Sequence, residues 1–268
     1  MPHDHNRRAW DALVRRRQRF TRPVDDADFA NPFAAVDGAG WLDGGVAGLR
    51  VLCLAAGGGK QAALYAALGA TVTVVDLSPE MLALDRQVAA ERNLAIRTVE
   101  ASMDDLSMFA PASFDLVVHP VSTCYVPDVL AVYREVARVT IGGRLYISQH
   151  KQPASLQADI RPSPTGYELI EPYYRTGPLP PVEGSPHREP GTLEFLHRWE
   201  ELLGGLCRAG FVIEDLLEPL HAEAKAAQAT FGHRSQYVAP YVRIKARRVG
   251  QTAASPSGNL WTPEGNDE

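Results

Sequence analysis

From about residue 50 onward the hydrophobic pattern switches repeatedly between two periods. "LRVLCLAA" is a continuous apolar run ending in glycines, as expected of a strand buried on both faces. "GKQAALYAALGA" follows with helical spacing and is closed by Gly69, and "TVTVVD" is a second strand. The next helix is marked by Ser78 as N-cap, Pro79 at the first helical position and Glu80 in the first turn. Its buried stripe is Met81, Leu84 and Val88. "AIRTVE" and "FDLVVH" give a third and a fourth strand, and "GGRLYIS" a fifth. Before the fifth lies "VPDVLAVYREVARV", with Val129, Val132, Val136 and Val139 on one helical face. Such alternation predicts βαβ units around a parallel sheet.

The alternation stops after the fifth strand. Residues 151–190 are proline-rich and aperiodic, so they read as a long excursion rather than a core element. "TLEFLHRWEELLGGLCRAG" then predicts a helix with Phe195, Trp199, Leu202, Leu203 and Leu206 on one side. "FVIEDLLEP" and "YVAPYVRIKARR" predict two final strands, joined through a helical stretch "HAEAKAAQA". An N-terminal helix over "RRAWDALVRRRQRFTR" would bury Trp10, Leu13 and Val14 beneath an arginine face. The resulting division is an N-terminal helical cap (1–45), a Rossmann-like core (46–150) and an inserted segment (151–190). A last helix with the closing strands (191–248) and a disordered polar tail (249–268) complete it.

Composition narrows the function classes. With 268 residues, 45% of them hydrophobic, the chain can bury a full core, and no apolar run approaches the roughly 20 residues of a membrane span. A net charge of −5 argues against nucleic acid as partner. Cys53, Cys124 and Cys207 are too far apart for a metal-ligand spacing, which suggests no bound metal and a reducing, cytoplasmic setting. His3 and His5 would sit in a flexible terminus.

The candidate chemistry lies in "VLCLAAGGGK". A glycine-rich turn between a first parallel strand and its helix lets a ligand touch bare backbone. Gly57-x-Gly59-x-x-Ala62, with Asp76 downstream, formally satisfies the dinucleotide pattern and leaves a nicotinamide-type oxidoreductase open. The segments "VLCLAAGGG", "VTVVDLSPEML" and "VEASMDDLSMFAPASFDLVVHPVSTCYVPDVLAVYREVARVTIGGRLYIS" resemble, in order and spacing, the class I S-adenosylmethionine-dependent methyltransferases. The nearest likeness is to the small-molecule branch of ubiquinone and menaquinone methyltransferases. It implies a seven-stranded Rossmann-like sheet, mostly parallel with the last strand antiparallel and helices on both faces.

By this resemblance Ala55, Gly57 and Gly59 occupy the small positions along which the methionine moiety lies. Asp76 would accept both ribose hydroxyls, Leu77 and Met81 would flank the adenine, and Ser102 and Met103 would read its edge. His119 would end the fourth strand beside the reactive methyl. The family usually has an acid where Cys53 stands, to orient the cofactor's ammonium; here something else must hold it, while Lys60 and Gln61 are candidates for the cofactor's carboxylate. His119 and His150, at carboxyl ends of strands, are candidate bases; each is equally readable as a structural histidine, and His197 as part of a helix face. Tyr173, Tyr174 and His197, with Tyr167 and Arg175, are candidates for a small-molecule acceptor pocket, although the tyrosines could also fill a small core of their own. A non-catalytic cofactor-binding module is the third reading, and the pattern says nothing of oligomeric state.

Overall fold

A computed structural model of the chain describes residues 1–250 apart from Glu183 and Pro186. The predicted tail from 251 onward lies outside the described residues. The strands are β1 (Arg50–Leu54), β2 (Thr71–Asp76), β3 (Ile96–Glu100), β4 (Phe114–His119), β5 (Thr140–Lys151), β6 (Phe211–Leu217) and β7 (Tyr241–Arg248). They form one sheet in the order β3-β2-β1-β4-β5-β7-β6, in which β7 alone runs antiparallel to its neighbours β5 and β6. The order reverses between β1 and β4, the place where open α/β sheets bind ligands.

Helices α1 (Pro2–Arg15), α2 (Asp26–Ala30), α3 (Pro32–Val36), α4 (Gln61–Ala67) and α5 (Pro79–Arg92) precede β3. Later come α6 (Val129–Val139), α7 (Pro153–Gln157), α8 (Gly205–Arg208) and α9 (Phe231–Arg234). Two cores explain why β1 is apolar at every buried position. Leu52 and Leu54 face α6, Leu202 and Leu206, while Val51 and Cys53 face α4 and Leu82 of α5. The four valines predicted for α6 are all buried in the first core.

The start of α5 is as the sequence predicts. Ser78 Oγ accepts the Met81 N–H at 3.1 Å, and Asn93 ends the helix in the left-handed conformation. The same hydroxyl donates to Asp11 Oδ1 at 2.6 Å, fastening α1 to the sheet's carboxyl edge.

Four expectations are corrected. Helix α1 begins at Pro2, so His3 and His5 are helical rather than in a loose terminus, and it stops at Arg15. The helix predicted over 192–210 starts only at Trp199, because the preceding backbone pairs elsewhere: Phe195 N–H donates to Cys124 O, and Glu194 O accepts from Leu179. "HAEAKAAQA" is turns, since so short a stretch with no face to bury cannot sustain a helix, and α9 forms beyond it. Strand β5 extends to Lys151 because β7 pairs along its whole second half. Among the described residues no helix is long and apolar enough to cross a membrane.

Because Ser78 both caps α5 and holds Asp11, Ser78→Ala should lower stability by about 1–2 kcal/mol in urea denaturation. A shift within error would show that α1 docks by other contacts.

Candidate active site

Past the end of β1 the backbone turns through Ala55 at φ +46°, a left-handed conformation that costs a residue with a side chain about 1–2 kcal/mol. Gly57 faces β2 and α5: a Cβ there would stand 2.9 Å from Asp76 Oδ2 and 2.8 Å from Met81 Cβ. Gly59, at φ +70°, lies on α5, where a Cβ would meet Val88 Cγ2 at 2.8 Å and Leu84 O at 3.0 Å. The glycines therefore serve two purposes. Gly57 leaves the cleft open, whereas Gly59 lets the turn rest on a helix and does not line the cleft as expected.

Two carboxylates hold this turn by its amides. Asp76 Oδ2 accepts Gly57 N–H at 2.9 Å while Oδ1 accepts Ser78 N–H at 2.9 Å. Asp85, fully buried on α5, accepts Gly58 N–H at 2.9 Å and Gly59 N–H at 3.1 Å. Burial pushes Asp76 up to about 6, against the pull of the Ser78 and Gly57 amides. It pushes Asp85 up to about 7, against the Gly58 and Gly59 amides. Cys53 is buried in the core and kept a neutral thiol by burial and by the nearby charge of Asp85. A carboxylate on α5 thus anchors the loop where β1 carries none. Asp85 is absent from the sequence reading, yet a signal existed: it stands four residues after Met81 and three before Val88, an acid inside an apolar stripe.

A cavity of about 320 Å³ opens at the carboxyl ends of β1, β2 and β4. It gathers Ala55, Gly57 and Lys60 from the turn, Asp76 from the end of β2 with Leu77 just after it, Met81 from α5, and Ser102 and Met103 after β3. Gln61 also lines it, and its Oε1 is buried without a hydrogen-bond partner. Trp10 and Phe20 close one side, and Pro120, Ser122, Tyr125, Gln149, Glu189 and Tyr241 form the other end.

Comparison with known proteins agrees with this geometry. Residues 52–147 match the family model of a methyltransferase domain. An uncharacterized methyltransferase of Bacillus subtilis is 35% identical over 229 residues, covering 80% of this chain and 89% of that protein. This chain is an S-adenosylmethionine-dependent methyltransferase. A ubiquinone biosynthesis O-methyltransferase of Xanthomonas euvesicatoria is 31% identical over 69% of this chain and 73% of its own. A crystal structure of an S-adenosylmethionine-dependent methyltransferase from Mesorhizobium loti superposes with TM-score 0.62 at 25% identity, over 76% of this chain and 92% of its own.

In this methyltransferase the histidines chosen from sequence lie beneath the cleft rather than in it. His119 is buried, its Nδ1 2.7 Å from Tyr146 Oη and its Nε2 unpartnered, and burial pulls it down to about 3. His150 is bracketed by Thr123 Oγ1 and Ser148 Oγ, both at 2.8 Å, and is held well below its ordinary value by burial. Neither touches the cavity. His197 is outside any helix or strand, where Nε2 meets the carbonyls of Thr123 and Val126 at 2.9 and 3.1 Å. Tyr173 packs into a small core with its Oη accepting Trp199 N–H, and Tyr174 is 76% exposed, so neither lines the cleft. Tyr167 pairs with His233 at 2.8 Å and Arg175 with Glu171, also away from it.

The polar groups at the far end of the cleft were not anticipated from the sequence. Glu189 accepts from Tyr125 Oη and from Lys151 Nζ, the latter at 2.8 Å. Lys151 also donates to Glu194 Oε1 and His187 O, both at 2.9 Å. Burial alone would raise Glu189, but the ammonium of Lys151 and the phenol of Tyr125 hold it below the ordinary carboxylate range. His3 reaches the rim of the cleft from α1, its Nε2 3.0 Å from Asp104 Oδ2. These contacts join residues far apart in sequence, which leaves no local periodicity to reveal them.

The packing of Gly59 yields a prediction. Gly59→Ala combines left-handed strain with a clash against the backbone of α5 and should cost about 2–4 kcal/mol in chemical denaturation. At Gly58 the nearest atom is the mobile Met81 Cε at 3.0 Å but φ is +117°, so alanine there should also destabilise, through the backbone rather than the contact, and no loss at either position would refute this account of the turn.

Proposed function

We propose that the cavity beside the glycine turn is where this methyltransferase holds S-adenosylmethionine, and that its Tyr125–Glu189 end receives a small-molecule acceptor. The observation that carries the reading is the convergence in one cleft of an open glycine, a strand-end carboxylate and an orphaned acceptor. Asp76 has an oxygen pair suited to two ribose hydroxyls. Leu77 and Met81 supply apolar surface for the adenine, with Ser102 and the Met103 backbone at its edge. Gln61 Oε1, buried and unpaired, fits the cofactor's ammonium group, and exposed Lys60 fits its carboxylate. The usual acid at Cys53 is then dispensable for both tasks.

When bound, the cofactor supplies an electrophilic methyl on a sulfonium. The chain's own contribution is alignment and exclusion of water. Trp10 and Phe20 cover the cleft from the N-terminal side, and residues 151–190 bring Glu189 to the other end, which supports reading that segment as an acceptor cover. Glu189, held ionised, is a weak base but a good hydrogen-bond acceptor. It suits a hydroxyl or amine on the acceptor, and Tyr125, held neutral by burial and by Glu189, keeps it in place. His119 and His150 act in this reading as core residues that support the floor, because burial denies them the proton a base must carry.

Calorimetric titration with S-adenosylhomocysteine tests the assignment. Asp76→Ala should weaken binding by about 1.5–3 kcal/mol, the worth of hydrogen bonds to a charged group. An unchanged affinity would remove Asp76 from the site. The pH dependence has a defined sign. The ligand's hydroxyls bind the ionised carboxylate, so affinity should be level above about pH 6 and fall as pH drops below it. That slope should vanish in Asp76→Ala.

A further inference from the structure

A second cavity, of about 360 Å³, lies behind the acceptor end, and Tyr241 forms a wall common to both. Its most unusual member is His187. The ring is 7% exposed, neither nitrogen has a hydrogen-bond partner among the described residues, and it stacks on Phe231 at 4.9 Å between centroids. A buried imidazole lacking both partners is costly unless something else fills the space.

The charges around it are unequal. Lys151 is taken up by Glu189 and Glu194, and Arg188 by Glu194. Arg234 is buried and donates to the carbonyls of Ser155, Ala158 and Asp159 and to Ser155 Oγ, with no carboxylate in ion-pair range among the described residues. Arg161 stands at the exposed rim with its side chain in no hydrogen bond or ion pair among the described residues. Among the described residues Asp159 is the one carboxylate lining the cavity without a cationic partner of its own, so their surplus is a single positive charge. The remaining wall is apolar, including Leu156, Ile160, Pro181 and Val182.

We propose that this second cavity binds an apolar organic monocarboxylate, its carboxylate between His187 and the Arg161–Arg234 side and its body against the aliphatic wall. Such a ligand would satisfy a His187 ring nitrogen, balance the surplus charge and bury its own hydrocarbon. Polar molecules without an apolar part, or apolar molecules without an anion, would each meet only half of the lining. The site is separate from the cofactor cleft and stands whether or not that assignment holds.

Octanoate serves as the probe and 1-octanol as its uncharged counterpart, each titrated calorimetrically into the full chain. Octanoate should bind saturably with Kd below about 1 mM, and octanol at least about tenfold more weakly. His187→Phe keeps the stack on Phe231 but removes both nitrogens, and Arg161→Gln alters only an exposed side chain. Each should weaken octanoate at least about tenfold while leaving S-adenosylhomocysteine affinity at the wild-type level. Equal affinities for acid and alcohol, insensitivity to both variants, or no octanoate binding would overturn the proposal. Loss of S-adenosylhomocysteine binding by the wild-type chain would instead count against the cofactor assignment alone.

Discussion

Two carboxylates gripping three successive amides are the constraint on which the rest of this structure depends. Asp76 takes the N–H of Gly57, and Asp85 those of Gly58 and Gly59. Without them the turn would leave its amides unpaired beneath a helix, and a buried unpaired amide costs about 1–3 kcal/mol. The arrangement also fixes the distance from β1 to α5, and so the width of the cleft. It is a demanding solution, since burial works against the charge of both acids. Their cost is offset only because each is met by donors whose direction the loop cannot change.

The opposite end of the cleft uses the same physics with reversed sign. Lys151 is buried at the end of β5 and is tolerable there because Glu189, Glu194 and the His187 carbonyl surround it. Replacing such a cluster by apolar residues often costs no stability, whereas removing one member strands the others. Its value here is positional. It locks residues from the irregular segment after α7 onto the sheet, and leaves Glu189 lining the cleft.

Methyl transfer from a sulfonium disperses charge, so a dry, well-aligned cleft does not oppose it. That fits a cleft whose underlying histidines are buried and neutral and whose facing carboxylate is a weak base.

The α/β order, the cap of α5 and most residues lining the glycine side of the cleft were legible in the sequence because each depends on near neighbours. Apolar runs of strand length bury on both faces, Ser78-Pro79-Glu80 satisfies the first amides of its own helix, and Asp76 follows directly from β2. Even there the two glycines could not be told apart, since only the packing of α5 shows that Gly59 faces a helix. The end of the cleft around Glu189 depended on tertiary structure throughout. His119 and His150 occupy strand ends that promise exposure, and are buried because Tyr146 and the Thr123 turn close over them. Tyr125, Glu189 and Lys151 meet across separations of dozens of residues, and hydrogen bonds of that kind leave no period in a chain. Local backbone chemistry is written in consecutive residues; the pairing of distant charges is decided only when folding removes water from between them.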